Sequence, residues 1–167
     1  AGGDWFLQSR WQCQPRWTWF GGQGRRLVAV WHKAQFDGDV RATAFAAFRM
    51  GSPFDPNYRH VGDLCVTVCG DGHGLASGYT FAFAADPNRL SRLYRLGEVV
   101  AETREGLLPD NRNSFPYREV HLPWMAVGLR RDGRQLTAEV DGRALLTYED
   151  ADPLAGRHVA LWSWDND

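Results

Sequence analysis

Two acidic clusters stand out among residues able to do chemistry. They are Asp37-Gly38-Asp39 and Asp165-Asn166-Asp167. Hard carboxylate oxygens of this kind suit a structural calcium ion, while turn chemistry alone also accounts for both. Asp71-Gly72-His73-Gly74 puts a carboxylate and an imidazole on one loop, either as a general base or metal ligand or as a polar turn. Glu119 and His121, two apart, share one face of a strand, either as a base oriented by a carboxylate or as a surface ion pair. Ser77 and Ser114 lack the flanking glycines of a nucleophile elbow. No helical pattern follows Gly21-Gly22-Gln23-Gly24, so a phosphate-cradling loop is not indicated. No catalytic residue is assigned from these patterns.

The eight tryptophans exceed what one small core usually needs, which implies an aromatic surface as well as an aromatic core. Trp17 and Trp19 lie on one strand face about 7 Å apart. Such a pair makes either a platform for the apolar face of a sugar or one wall of the core. Lys33 is the only lysine, and the other basic residues are arginine. That bias reflects either the codon usage of a GC-rich bacterium or many bidentate anion contacts. Cys65 and Cys69 sit four apart on a strand, about 13 Å between Cα atoms, too far to bridge each other. Either can meet Cys13 from a neighbouring strand, or all can be buried thiols. Zinc-ligand spacings are absent.

These residues need a scaffold, and the chain is long enough for one domain over 1–167 that buries roughly 70% of its unfolded surface. At 44% hydrophobic and 23% charged, the composition is that of a globular protein. The net charge of -1 gives no support to non-specific nucleic-acid binding. No apolar run approaches the ~20 residues of a membrane-spanning helix. Residues 1–4 carry neither a basic stretch nor an apolar run, so no signal peptide is evident in the chain as given.

Alternation and turn residues dominate, and helical periodicity is nearly missing. Strands are predicted over residues 26–31, 39–48, 64–69, 78–83, 92–96, 98–102, 124–130, 135–140, 143–148 and 157–164, ten to twelve in all. Asp132-Gly133 and Asp141-Gly142 predict two type I′ hairpins in succession, and one helical turn is expected near Pro153-Leu154. Leu136, Ala138 and Val140 share strand parity and are expected to face an opposing sheet. The predicted class is an all-β sandwich or closed barrel, with a Trp-rich segment over 1–25 packing on it.

The run from Trp124 through Val127-Gly128-Leu129-Arg130-Arg131-Asp132-Gly133 and Val140-Asp141-Gly142-Arg143, then Asp152-Pro153-Leu154 with Gly156, then Val159-Ala160-Leu161-Trp162, resembles the concanavalin A-like lectin/glucanase superfamily. It is most similar to its bacterial 3-keto-disaccharide hydrolase-like and laminin-G-like members. Phe36-Asp37-Gly38-Asp39-Val40 resembles an early strand of those families, and the match covers roughly 27–164. The resemblance implies a two-sheet antiparallel jelly-roll β-sandwich. It implies no activity, because the E-x-D-x-x-E strand of the glucanases does not occur; Glu98 and Glu102 have Val100 between them. Many members carry a structural calcium near an early and a late strand, which would assign Asp37, Asp39, Asp165 and Asp167 as its ligands. No other cofactor is implied.

Two readings of function follow. One is a carbohydrate-recognising domain, glycoside-hydrolase-like in fold, of an exported, extracytoplasmic bacterial protein. The other is a non-catalytic structural subunit that docks on a larger protein assembly through a Trp-rich surface or a sheet edge. On the resemblance, a glycan site lies on the curved sheet or its rim. Trp31, Arg41, Arg95, His121 and Trp124 are the ligand-binding candidates, each an aromatic or polar residue in a strand-like run.

Overall fold

The computed structural model describes residues 5–7, 11–12, 21–22, 24–47, 63–106 and 124–166. Thirteen strands run through them: β1 Trp5–Leu7, β2 Trp11–Gln12, β3 Gly21–Gly22, β4 Gly24–His32, β5 Val40–Ala46, β6 Leu64–Gly70, β7 Tyr79–Ala84, β8 Leu90–Arg95, β9 Glu98–Thr103, β10 Met125–Asp132, β11 Gln135–Val140, β12 Arg143–Glu149 and β13 His158–Asn166. The helical content of these residues is one turn, α1 Ala85–Asn88, and a 3-10 turn at Leu75–Ser77. Residues 153–157, where a helical turn was expected, are irregular. Their backbone is held by other partners: Leu154 N donates to the Tyr79 hydroxyl and Arg157 N to Gly70 O.

Seven strands form one sheet in the order β1-β4-β13-β6-β7-β8-β9, and four form a second in the order β12-β11-β10-β5. Within both sheets the pairings are antiparallel. The core lies between them. Val66, Val68, Phe81, Phe83 and Leu93 from the large sheet meet Val127, Leu129, Leu136, Ala138 and Leu146 from the small one. Burying each large apolar side chain is worth about 1.5–3 kcal/mol. Leu136 and Ala138 are fully buried and Val140 packs at the core's margin, as their parity requires.

The other face of the large sheet is closed at its centre as well. Trp31, Ala160, Thr67 and Thr80 lie in one cross-strand row, and all four are buried. Strands buried on both faces read as continuous apolar runs. The two threonines are tolerated because their hydroxyls bond each other at 2.7 Å, and Trp162 Nε1 donates to Thr67 Oγ1 at 2.9 Å. Cys65 belongs to this face, beside Ala82. Cys69 belongs to the core between the sheets. Both are free buried thiols, pushed above the ordinary thiol range by that burial. Cys13 lies outside the described residues.

The hairpin turns follow their sequences with one shift. Asp141 and Gly142 sit at φ 50° and 78°, the left-handed pair of a type I′ turn. At the preceding hairpin, Asp132 still pairs with Gln135, so Gly133 and Arg134 are the central residues, and only Gly133 has positive φ. Asp132 is thus the last strand residue and not a turn residue. A third tight turn joins β8 to β9 with Leu96 at φ 50° and Gly97 at φ 84°. A leucine in the left-handed region costs about 1 kcal/mol or more. Leu96→Asn is therefore expected to stabilise the protein by about 1 kcal/mol, read as a shift in urea midpoint at unchanged m-value. An unchanged or lower midpoint would show that the half-exposed Leu96 side chain contributes more by packing than its backbone costs.

Candidate functional site

Three loops converge at the end of the sandwich where β4 and β6 finish and β13 begins. Phe36 N donates to Arg157 O, Arg157 Nε pairs with Asp37 at 3.2 Å, and Gly72 packs on the His158 ring. Asp39 Oδ1 accepts from Gly133 N at 2.6 Å, with Arg131 Nη2 4.0 Å away. Both candidate calcium ligands on this side therefore have protein partners. The late strand does not bring the other two to them. β13 pairs with β4 so that Ala160 meets Trp31 and Asn166 meets Gly24, which carries the backbone of Asp165 to the opposite end, roughly 20 Å away. Asp167 lies outside the described residues. The expected four-aspartate calcium site is not assembled, because the chain direction of β13 separates its halves.

Asp71 behaves as a turn residue. Its Oδ1 accepts from the backbone N–H of His73 and Gly74 and from Ser77 Oγ. The backbone bonds hold its carboxyl below the usual carboxylate range. A carboxylate so committed orders its own loop. Glu119, His121 and Ser114 lie outside the described residues.

Arg95 does not present its guanidinium outward as a ligand residue would. Its Nε donates to Asp150 Oδ2 at 2.6 Å and its Nη2 to Asp152 O at 2.8 Å. Tyr79 OH donates to the same Asp150 oxygen, and Asp152 N to the other. This cluster fastens the 150–157 loop over the end of the core.

Trp31 is also displaced from the ligand-binding set. It is 1% exposed, and its ring lies over Gly70, where an added Cβ would come within 2.7 Å of two ring carbons. It is a packing residue of the large sheet.

Arg41 and Trp124, in contrast, share one open face, that of the four-stranded sheet. In β5, Val40, Ala42, Ala44 and Ala46 turn inward, while Arg41, Thr43 and Phe45 are exposed. Phe45 is opposite Ala126, and its ring stacks on Trp124 with centroids 5.6 Å apart and 24° between planes. They are 69% and 44% exposed. Offset aromatic pairs of this kind present a broad apolar surface to solvent. Further along the face, Arg41 Nη2 donates to Glu139 Oε2 at 2.7 Å. That bond spans two strands, and Gly128 between them makes it possible. Gly128 pairs with Thr43 on one side and Glu139 on the other and carries no side chain to block the reach. Even a Cβ there would stand 2.9 Å from Thr43 Oγ1.

The face therefore combines an aromatic platform, hydroxyls and a charged hydrogen-bonding pair. Phe45 and Glu139 are residues of this face that the sequence pattern did not single out. The available signal was the parity of residues 41, 43 and 45 against the alanines between them.

The two antiparallel sheets packed face to face form a jelly-roll β-sandwich of the concanavalin A-like fold. No family model matches the chain, and no curated protein does. Among solved structures, it is similar to a carbohydrate-binding module, CBM66, from Bacillus subtilis, at TM-score 0.65 and 12% identity over 98% of this chain and 89% of that one. It is likewise similar to the carbohydrate recognition domain of Emp46p, at TM-score 0.63 and 11% identity over 98% and 82%. A third likeness is to a galectin-like protein of unknown function from Bacillus subtilis, at TM-score 0.59 and 14% identity over 97% and 87%.

Proposed function

We propose that this protein is a carbohydrate-binding domain of an exported bacterial protein, a single sandwich domain over 1–167, and that it binds glycan on the open face of the four-stranded sheet. The observation that carries this reading is the Trp124–Phe45 platform beside the Arg41–Glu139 pair. Sugar rings offer an apolar C–H face and a belt of hydroxyls. The aromatic pair suits the first, and Thr43, Glu139 and Arg41 suit the second. The likeness to CBM66 and to the Emp46p domain supports the same ligand class. Binding without hydrolysis fits a sequence that lacks the glucanase carboxylate string.

Glycan-array binding followed by calorimetry tests the reading. Trp124→Ala and Phe45→Ala are each expected to weaken glycan binding at least tenfold with little change in melting temperature, since both side chains are largely exposed. Undiminished binding by the double variant would refute the site. Failure of the parent to bind any glycan, together with capture of a protein by the same aromatic pair, would instead favour the assembly-subunit reading.

A further inference from the structure

The same open face carries more positive charge at its centre than a neutral sugar needs. Arg130 and Arg41 are directly opposite each other across β10 and β5. Like charges at opposed positions are destabilising unless something offsets them. Glu139 offsets one, through Arg41. Arg130 has no hydrogen bond or ion pair among the described residues, and its Nε is buried without a partner. Its neighbour Arg131 shares the unpartnered Nε but differs in its direction and in its terminal nitrogens. It turns inward, and its terminal nitrogens bond Leu154 O and Gly38 O. Two further carboxylates share this face: Asp132, two residues along β10 from Arg130 and in no ion pair with it, and Glu149, opposite Gln135 on the far edge strand, two strands from β10. Thr137 is the immediate neighbour of Arg130 on β11 and brings no charge.

Resting on the glycan reading above, we infer that the ligand is an acidic oligosaccharide whose uronate carboxylate sits on Arg130 beside Arg41, with a further sugar ring on Trp124 and Phe45. A planar carboxylate matches the guanidinium fork in a way a hydroxyl does not. Arg41 and Phe45 are four residues apart on one strand, about 13 Å, so one ring cannot meet both ends. A ligand that spans them is an oligosaccharide with its acid group displaced from the stacked ring. Glu139 then acts as a counter-charge: it keeps Arg41 in place when the site is empty and competes with the ligand's carboxylate.

The test compares tetragalacturonate with its fully methyl-esterified form on the intact protein by calorimetry at low salt. The acid form is expected to bind at least tenfold tighter, with an advantage that shrinks as salt is raised. Arg130→Gln should abolish that preference by bringing the acid form down to the affinity of the ester. Glu139→Gln should act in the opposite direction and strengthen binding of the acid form, which a merely structural role for these residues would not produce. Equal binding of acid and ester by the parent, or a preference that survives Arg130→Gln, would overturn the inference and leave the glycan reading standing. Failure of both forms to bind, with no neutral glycan bound on an array, would overturn both.

Discussion

Replacing Trp31 with alanine is expected to destabilise the protein by about 3–5 kcal/mol, the range for removing a buried large aromatic side chain. For a chain of this size, that is a drop of roughly 10 °C in melting temperature. Trp31 is 1% exposed, and its ring fills the space above Gly70 on the neighbouring part of the large sheet. A domain of ordinary stability has only about 5–15 kcal/mol in hand, so the variant will be poorly folded at 37 °C. Trp31→Phe keeps most of the contact and should lose about half as much, which separates a packing role from simple failure to fold. Trp124→Ala is the contrasting case. A pair of urea titrations decides the matter: equal midpoints for the Trp31 and Trp124 alanine variants would mean that the two tryptophans have been assigned to the wrong environments.

The contrast between these two tryptophans also shows where sequence reading succeeds. Local patterns placed every strand from Leu64 onward to within two residues wherever the structure describes one, because period-two alternation and Asp-Gly or Leu-Gly turns act over a few residues. They could not tell Trp31 from Trp124. Both occur in apolar, strand-like runs, and their exposure depends on which strands lie alongside. Trp31 is flanked by β13 and ends over Gly70, 39 residues later in the chain. Trp124 meets Phe45 only because β10 pairs with β5 across a long connection. The Arg41–Glu139 bond was hidden for the same reason, since it needs the registers of β5, β10 and β11 together. The calcium assignment failed on chain direction, another non-local property. Arg95 looked like a ligand residue because its partner, Asp150, lies 55 positions away.

That partner is the subject of the second large effect. Asp150→Ala is expected to cost about 3 kcal/mol or more, because it leaves the Tyr79 hydroxyl, the Arg95 Nε and the Asp152 N–H without their acceptor in a site where the Asp150 side chain is only 5% exposed. The value belongs at the low end of the range for a broken buried pair, because Arg95 retains some access to water. Asp150→Asn keeps an acceptor and should lose less. Burial alone would raise the Asp150 carboxyl, but the hydrogen bonds from Tyr79, Arg95 and Asp152 outweigh it and hold the group below its ordinary value. A carboxyl lowered by folding stabilises the native state above its unfolded pKa of about 4, and that contribution is lost as the pH falls through the folded value. Tyr79 runs the other way. Burial, and then its bond to Asp150, push its hydroxyl up to about 12. A group raised by folding contributes below its unfolded pKa of about 10 and loses that contribution as the pH climbs through the folded value. Stability measured against pH should therefore fall on an acid limb below about pH 4 and on an alkaline limb between about pH 10 and 12. Asp150→Asn should flatten the first, and Tyr79→Phe the second. If the Asp150→Asn variant keeps the parent's acid limb unchanged, the carboxylate is not carrying the clasp, and the 150–157 loop is held instead by its backbone bonds to Phe36, Gly70, Tyr79, Arg95, Arg131 and Arg134.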